Sequence, residues 1–115
     1  MPKSDSDIGG VVPYFSAAVG ATAVLVASGQ TLLYGWQIKN PQVTIGYLQI
    51  FDAAAAADVT VGTTVRKLAL GLAASGIESD MPAKPVAFGL GIVIACTTTA
   101  TGNTANAMDV NLLYA

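Results

Sequence analysis

The sequence predicts an all-β protein, either a jelly-roll-like antiparallel β-sandwich or a small barrel. Three observations favour this fold class. Apolar residues recur mainly with a period of two rather than 3.6. Six or seven short apolar segments follow one another along the chain. Turn-forming pairs such as Ser28-Gly29, Asn40-Pro41 and Gly102-Asn103 separate them, a spacing typical of sandwiches and barrels.

The predicted strands differ in how their two faces are filled. In chain order they span residues 22–28, 32–39, 43–51, 59–64, 65–72, 86–96 and 108–114. Both faces of segment 43–51 are largely apolar, which predicts a strand covered on both sides. Segment 108–114 alternates apolar and polar residues, which predicts one buried and one solvated face.

Two connecting segments lack the period of two. Residues 52–58 hold five alanines between two aspartates. Alanine favours helix, but so short a run is unstable alone, so we expect a single helical turn or a compact loop. Residues 78–80 contain Glu78 and Asp80, the only close acidic pair in the body of the chain, and are predicted to form a solvated loop.

Residues 1–14 are expected to form an N-terminal arm, followed by a single sandwich domain of residues 15–115. The first seven residues are polar, and the apolar residues that follow are separated by glycine and proline. The segment is either a frayed terminus that packs on its own sheet or an arm that docks on a neighbouring subunit. In the second case, the candidate subunit or capsid contacts are Val11, Val12, Tyr14 and Phe15.

The composition indicates a surface that is partly covered by other protein. Apolar residues make up 53% of the chain and charged residues 10%, whereas a soluble domain averages about 25% charged. No Lys, Arg, Asp or Glu lies between Ile8 and Ile38. Five basic residues are too few for a nucleic-acid surface. The apolar run 86–96 is too short for a membrane-spanning helix, so we expect neither nucleic acid nor membrane as a partner.

The residue types predict no enzyme activity and no cofactor. The chain has no histidine, which excludes Ser-His and Cys-His nucleophile systems and the common zinc sites. Cys96 lies in an apolar run and is expected to be a small buried hydrophobe. Trp36, between Gly35 and Gln37, is the aromatic residue predicted to make an external contact.

Several segments together resemble small β-rich virion proteins of tailed bacteriophages. The likeness covers roughly residues 21–115 and rests on composition along segments 33–40, 47–52, 59–64, 94–102 and 109–114. It implies a capsid decoration or cement protein on the virion surface, made in the host bacterial cytoplasm. It also implies self-association as a homotrimer and binding to the major capsid protein. No functional residue can be carried over, because the likeness concerns packing positions.

Two other functions remain open from the sequence. The chain could be a receptor- or glycan-binding module of a phage fibre or tail spike, with Trp36 as its stacking residue. It could also be a structural subunit of a tail or neck ring, which needs the same kind of interface at another place on the particle.

Overall fold

A computed structural model describes residues 10–115, and strands dominate this part of the chain. A 3₁₀ turn at Ala56–Asp58 lies between the fourth and fifth strands, which confirms the helical turn predicted for the alanine segment. The strands are β1 Val12–Val19, β2 Val24–Ser28, β3 Thr31–Lys39, β4 Gly46–Asp52, β5 Leu68–Leu72, β6 Ile77–Asp80, β7 Val86–Phe88, β8 Gly91–Thr97 and β9 Met108–Tyr114.

The strands form two antiparallel sheets with nested pairing. One sheet has the order β1-β9-β3-β6, with β7 also paired to β3, and the other has the order β2-β8-β4-β5. Strand β1 thus pairs with β9, β2 pairs with β8, and β4 pairs with β5. This nesting is that of a jelly roll. The two sheets remain separate, which confirms the sandwich and removes the barrel alternative.

The main core fills the space between the two sheets. The strands β3, β4, β8 and β9 supply most of it, and its members include Leu33, Ile38, Leu48, Ile50, Ile92, Ile94, Val110 and Leu112. Each such side chain contributes roughly 1.5–3 kcal/mol when fully buried. Cys96 belongs to the same core, as predicted, and burial raises the pKa of its thiol to about 12.

A second, smaller core covers the outer face of the β2-β8-β4-β5 sheet. Phe51 of β4 and Val93 of β8 point away from the main core and pack with Val59 of the β4–β5 connection. The strand predicted for residues 59–64 is therefore wrong: the N–H groups of Thr63 and Thr64 donate to the Thr60 carbonyl and form turns. The apolar residues of this segment pack on the outer face of the sheet and do not add a strand to it.

Hydrogen bonds of a buried glutamine hold the segments that pack on this outer face. Gln49 is fully buried, and its Nε2 donates to Thr97 Oγ1 at 2.7 Å and to the Gly102 carbonyl at 3.0 Å. Its Oε1 accepts a hydrogen bond from Arg66 Nε at 3.2 Å. Since a buried amide without partners is costly, these bonds hold both the 98–104 loop and Arg66 over the sheet.

Other predicted segments also differ from the strands in the structure. Residues 86–96, predicted as one strand, divide into β7 and β8 at residues 89 and 90, and β8 begins with Gly91 at φ +146°. A Cβ there would collide with the carbonyl oxygens of Ala27 and Ala53. The predicted loop at residues 78–80 is instead part of β6, where Glu78 lies opposite Ile38 of β3. The strands β4 and β5 each begin three residues later than predicted.

The N-terminal strand begins inside the segment expected to be the arm. Val12 lies opposite Tyr114 and Tyr14 opposite Leu112, so residues 12–14 belong to the β1-β9 pair. Residues 1–9 lie outside the described part of the chain. Docking of the arm on another subunit therefore stays a prediction.

The carboxylate of Asp52 organises the turn between β7 and β8. Its Oδ1 accepts hydrogen bonds from the N–H groups of Leu90 at 2.8 Å and Gly91 at 3.3 Å, and its Oδ2 accepts one from Gly89 at 3.1 Å. Desolvation by burial raises the pKa of Asp52. The three N–H donors and the positive charge of Lys67 together outweigh it, so the pKa lies below its ordinary value.

We predict that Asp52→Asn lowers the free energy of unfolding by about 1 kcal/mol at pH 7, since the amide keeps only one oxygen acceptor. The folded-state pKa is depressed, so the stabilisation exists above the unfolded pKa and is lost as the pH falls from about 5 toward 2. Urea unfolding along a pH series should therefore show a shallower acid loss in Asp52→Asn than in the wild type. The exposed Asp58 provides the control, Asp58→Asn. Parallel wild-type and Asp52→Asn pH profiles would contradict this role.

Candidate functional site

The outer face of the β1-β9-β3-β6 sheet is open, unlike that of the other sheet. In β9, Met108, Val110 and Leu112 point into the main core, so alternation directs Asp109 and Asn111 outward. We call this surface the exposed sheet face. It comprises the outward side chains Phe15, Gln37, Lys39, Ile77, Ser79, Asp109, Asn111 and Leu113.

Strand register aligns the side chains of this face in rows. In one row, Phe15 lies opposite Asn111, which lies opposite Gln37 of β3. Neighbours in such a row have Cβ atoms about 4.5–5.5 Å apart. Within residues 10–115 the side chains of Gln37 and Asn111 make no hydrogen bond to the protein, so both amides are available to a partner.

A second row carries the charged groups of the face. Asp109 lies opposite Lys39, which lies opposite Ile77 of β6. One acidic and one basic side chain stand side by side, so the row carries no net charge. Asp109 Oδ1 also accepts the N–H of Ala18 at 3.0 Å, which holds the end of β1, where Ala18 adopts φ +55°.

The two rows enclose a shallow depression of about 250 Å³, lined by Phe15, Gln37, Lys39, Ile77, Asp109 and Asn111. Two of its lining side chains are apolar and largely exposed, Phe15 at 60% and Ile77 at 66%. Met81, also 66% exposed, lies against Gly35 at the adjoining edge. The depression thus combines exposed apolar side chains, two amides without a partner among residues 10–115, and two opposite charges.

The four contact residues predicted near the N-terminus do not lie on one face of the structure. Phe15 lies on the exposed sheet face, whereas Tyr14 points the other way and packs against the main core. Val11 and Val12 are half-buried at the start of β1. Of the four, Phe15 is therefore the one whose side chain the sheet leaves exposed.

Trp36 is placed in the core, which corrects its predicted contact role. Its side chain is 8% exposed and packs in the main core with Ile38. A register shift in β3 between Leu33 and Gly35 turns both Leu33 and Trp36 inward. A stacking or contact residue needs an open ring face, which Trp36 lacks. Among the described residues its Nε1 has no hydrogen-bond partner.

Sequence reasoning missed most of the exposed sheet face. The signal was present in β9, where Asp109 and Asn111 alternate with core residues. It was weak in β6, where Ile77 precedes a polar run that resembles a loop. Only the pairing of β6 with β3 brings Ile77 beside Lys39.

A larger cavity of about 430 Å³ lies at the other end of β3 and carries no charged side chain. It is lined by Gln30, Thr31, Leu32, Ala87, Phe88, Gly89 and Ala115. Across residues 10–115, no three cysteine or acidic side chains cluster so that they could hold a metal ion. In the same range, no helix has the length and apolar character needed to cross a membrane.

Comparison with known proteins gives only remote likenesses. No protein-family model matches the chain, and no curated protein matches it. PirA, a protein of known crystal structure, is 14% identical, with 90% of this chain and 91% of that chain covered and a TM-score of 0.40. The coat protein of Tobacco streak virus is 14% identical, with 91% and 85% covered and a TM-score of 0.43. A dimer of that coat protein is 14% identical, with 93% and 85% covered and a TM-score of 0.37.

Proposed function

We propose that this chain is a non-enzymatic structural protein of a virus particle. In this proposal it is a decoration protein that binds the outer shell and bridges neighbouring subunits of the major capsid protein. The observation that supports it best is the exposed sheet face, a surface of paired strands with apolar side chains and balanced charge. Jelly-roll sandwiches occur in viral capsid domains, although a fold alone does not assign a function.

The exposed sheet face has the composition of a docking surface. Phe15, Ile77 and Met81 are each at least 60% exposed, and apolar surface gains about 25 cal/mol per Å² on leaving water. Aromatic side chains are frequent anchors at interfaces. The face lies on paired strands, so little conformational entropy is lost when it docks.

Bridging explains how such a protein would reinforce a shell. Each copy contacts more than one capsid subunit, so separating two subunits also requires breaking the contacts of the copy between them. The low charge of the chain limits the desolvation cost of these contacts. Many copies around one shell add their contributions. Self-association belongs to the same proposal. The resemblance to phage virion proteins implies three copies, whereas the regular, uncharged β5 edge favours two.

We predict that antibodies against the purified chain label the shell of virus particles released from cells that carry its gene. Immunogold electron microscopy should show gold over the whole capsid surface. Particles made without the gene serve as the control for antibody specificity, and they should also lose their shells at a lower temperature. Label confined to tails or fibres, or no label on any particle, would overturn the decoration role.

We predict that Phe15→Asp weakens binding to shells at least tenfold, about 1.4 kcal/mol, because a carboxylate replaces the main apolar anchor. Particles made without the gene are mixed with purified protein and pelleted, and the bound copies are counted by gel densitometry. Leu25→Asp is the matched control, since Leu25 is 41% exposed but lies on the other sheet. Both substitutions are at exposed positions, so urea unfolding should show only small changes in stability. Equal binding of both variants would remove the exposed sheet face from the mechanism.

We predict that deleting residues 1–9 reduces the number of copies bound per shell and leaves folding unchanged. The deletion stops before β1, which begins at Val12, so the β1-β9 pairing stays intact. Removal of residues 1–14 would also take Val12 and Tyr14 out of the sheet and would confuse docking with stability. The same pelleting measurement applies, and unchanged occupancy would exclude the arm from binding.

A further inference from the structure

The free edge of the second sheet at β5 differs from the other sheet edges. The edges of the described sandwich are β1 on one side of its sheet, β6 with β7 on the other, and β2 and β5 in the second sheet. An edge strand exposes unpaired N–H and C=O groups that can pair with another chain. Proteins usually block such edges with proline, charge, bulges or short strands.

Blocking features are present on the other edges. The strand β1 contains Pro13, and its register with β9 shifts between Ser16 and Val19. The strand β2 has a register shift between Leu25 and Ala27. The strand β6 is four residues long and includes two acidic residues, and β7 has three residues.

The edge at β5 has none of these features. Leu68–Leu72 contains no proline and no charge, and it pairs with β4 in unbroken register over five residue pairs. Its leucines face the main core, while Ala69 and Gly71 are small and exposed. The ring of Tyr47 lies beside Gly71, where a Cβ would meet it at 3.0 Å. The edge is therefore regular and uncharged, and it has no second partner strand among residues 10–115.

Exposed apolar residues flank both ends of this edge. Val65 precedes β5 and is 83% exposed. Val43 and Ile45, 89% and 50% exposed, lie in the segment leading into β4, next to the far end of β5. That position follows from the pairing of Gly46 with Leu72. Antiparallel pairing of two β5 strands places the start of one strand beside the end of the other. Val65 of one copy then lies near Val43 and Ile45 of the second copy.

We infer that two copies of this chain associate by antiparallel pairing of their β5 edges, which joins two four-stranded sheets into one sheet of eight strands. A twofold arrangement follows because β5 is the one regular, uncharged edge within the described residues, so its best partner is itself. No charged side chain lies between Lys67 and Glu78 to oppose the pairing. The contact consists of a five-residue strand and a few flanking side chains, fewer than the roughly 20–30 residues a side of a standard interface, so the dimer dissociates on dilution.

Sedimentation equilibrium over a concentration series tests this dimer on the full chain. The wild type should shift from monomer to dimer, and Ala69→Lys should raise the dimer dissociation constant severalfold, because it brings like charges together across the new pair. The matched control is Ala17→Lys, an exposed alanine on the β1 edge, which should leave the dissociation constant unchanged. A monomer at every concentration, or a trimer insensitive to Ala69→Lys, would overturn the inference.

A measurement on the wild-type chain covers the case in which Ala69→Lys fails to fold. Amide hydrogen exchange at low and high protein concentration should show protection of residues 68–72 that rises with concentration, since pairing satisfies their free N–H groups. The β1 strand should show no such rise. Concentration-independent exchange in residues 68–72 while the mass increases would place the contact elsewhere. If the chain dimerises but does not bind shells, the dimer inference holds and the decoration role is refuted.

Discussion

Burial of β8 on both of its faces is the constraint on which the rest of this structure depends. All seven residues of Gly91–Thr97 are buried. Ile92 and Ile94 point into the main core, while Val93 and Ala95 point into the second core. The strand also pairs along both edges, with β2 and with β4. A strand with no solvated side requires a cover beyond its own sheet, and the chain has to provide that cover from its connections.

Polar bonds decide where those connections lie. Apolar contact alone holds Val59 and Ala53 on the outer face without directing them. Gln49 adds direction, because its amide is fully buried and its hydrogen bonds reach Thr97, Gly102 and Arg66. A buried amide that lost these partners would cost more free energy than a typical hydrogen bond contributes. The network therefore specifies one position for these connecting segments. They pack on the outer face of the β2-β8-β4-β5 sheet, so residues of the same chain bury that face.

Sequence patterns predicted the strands whose own residues supply the core, such as β3, β4 and β9. The strands β1 and β6 were missed because their positions come from their partners: β1 is interrupted by Pro13 and a register shift, and the β6 residues are mostly polar. At residues 59–64 a strand was predicted where none forms. The alternating valines of this segment pack against the second core without pairing with a strand. Phe15 could be identified as a contact candidate from its apolar neighbourhood. The inward turn of Trp36 could not, because it depends on a register shift that alternation does not encode.

The two contacts proposed for this chain use opposite parts of the sandwich and are therefore compatible. The exposed sheet face belongs to β1, β9, β3 and β6, whereas the β5 edge belongs to the other sheet. Pairing of β5 edges leaves Phe15 and Ile77 free on both copies. A pair would then present two docking faces, and the second would bind at the high effective concentration set by the first. Weak contacts of each kind could in this way combine into lasting attachment to a repetitive surface.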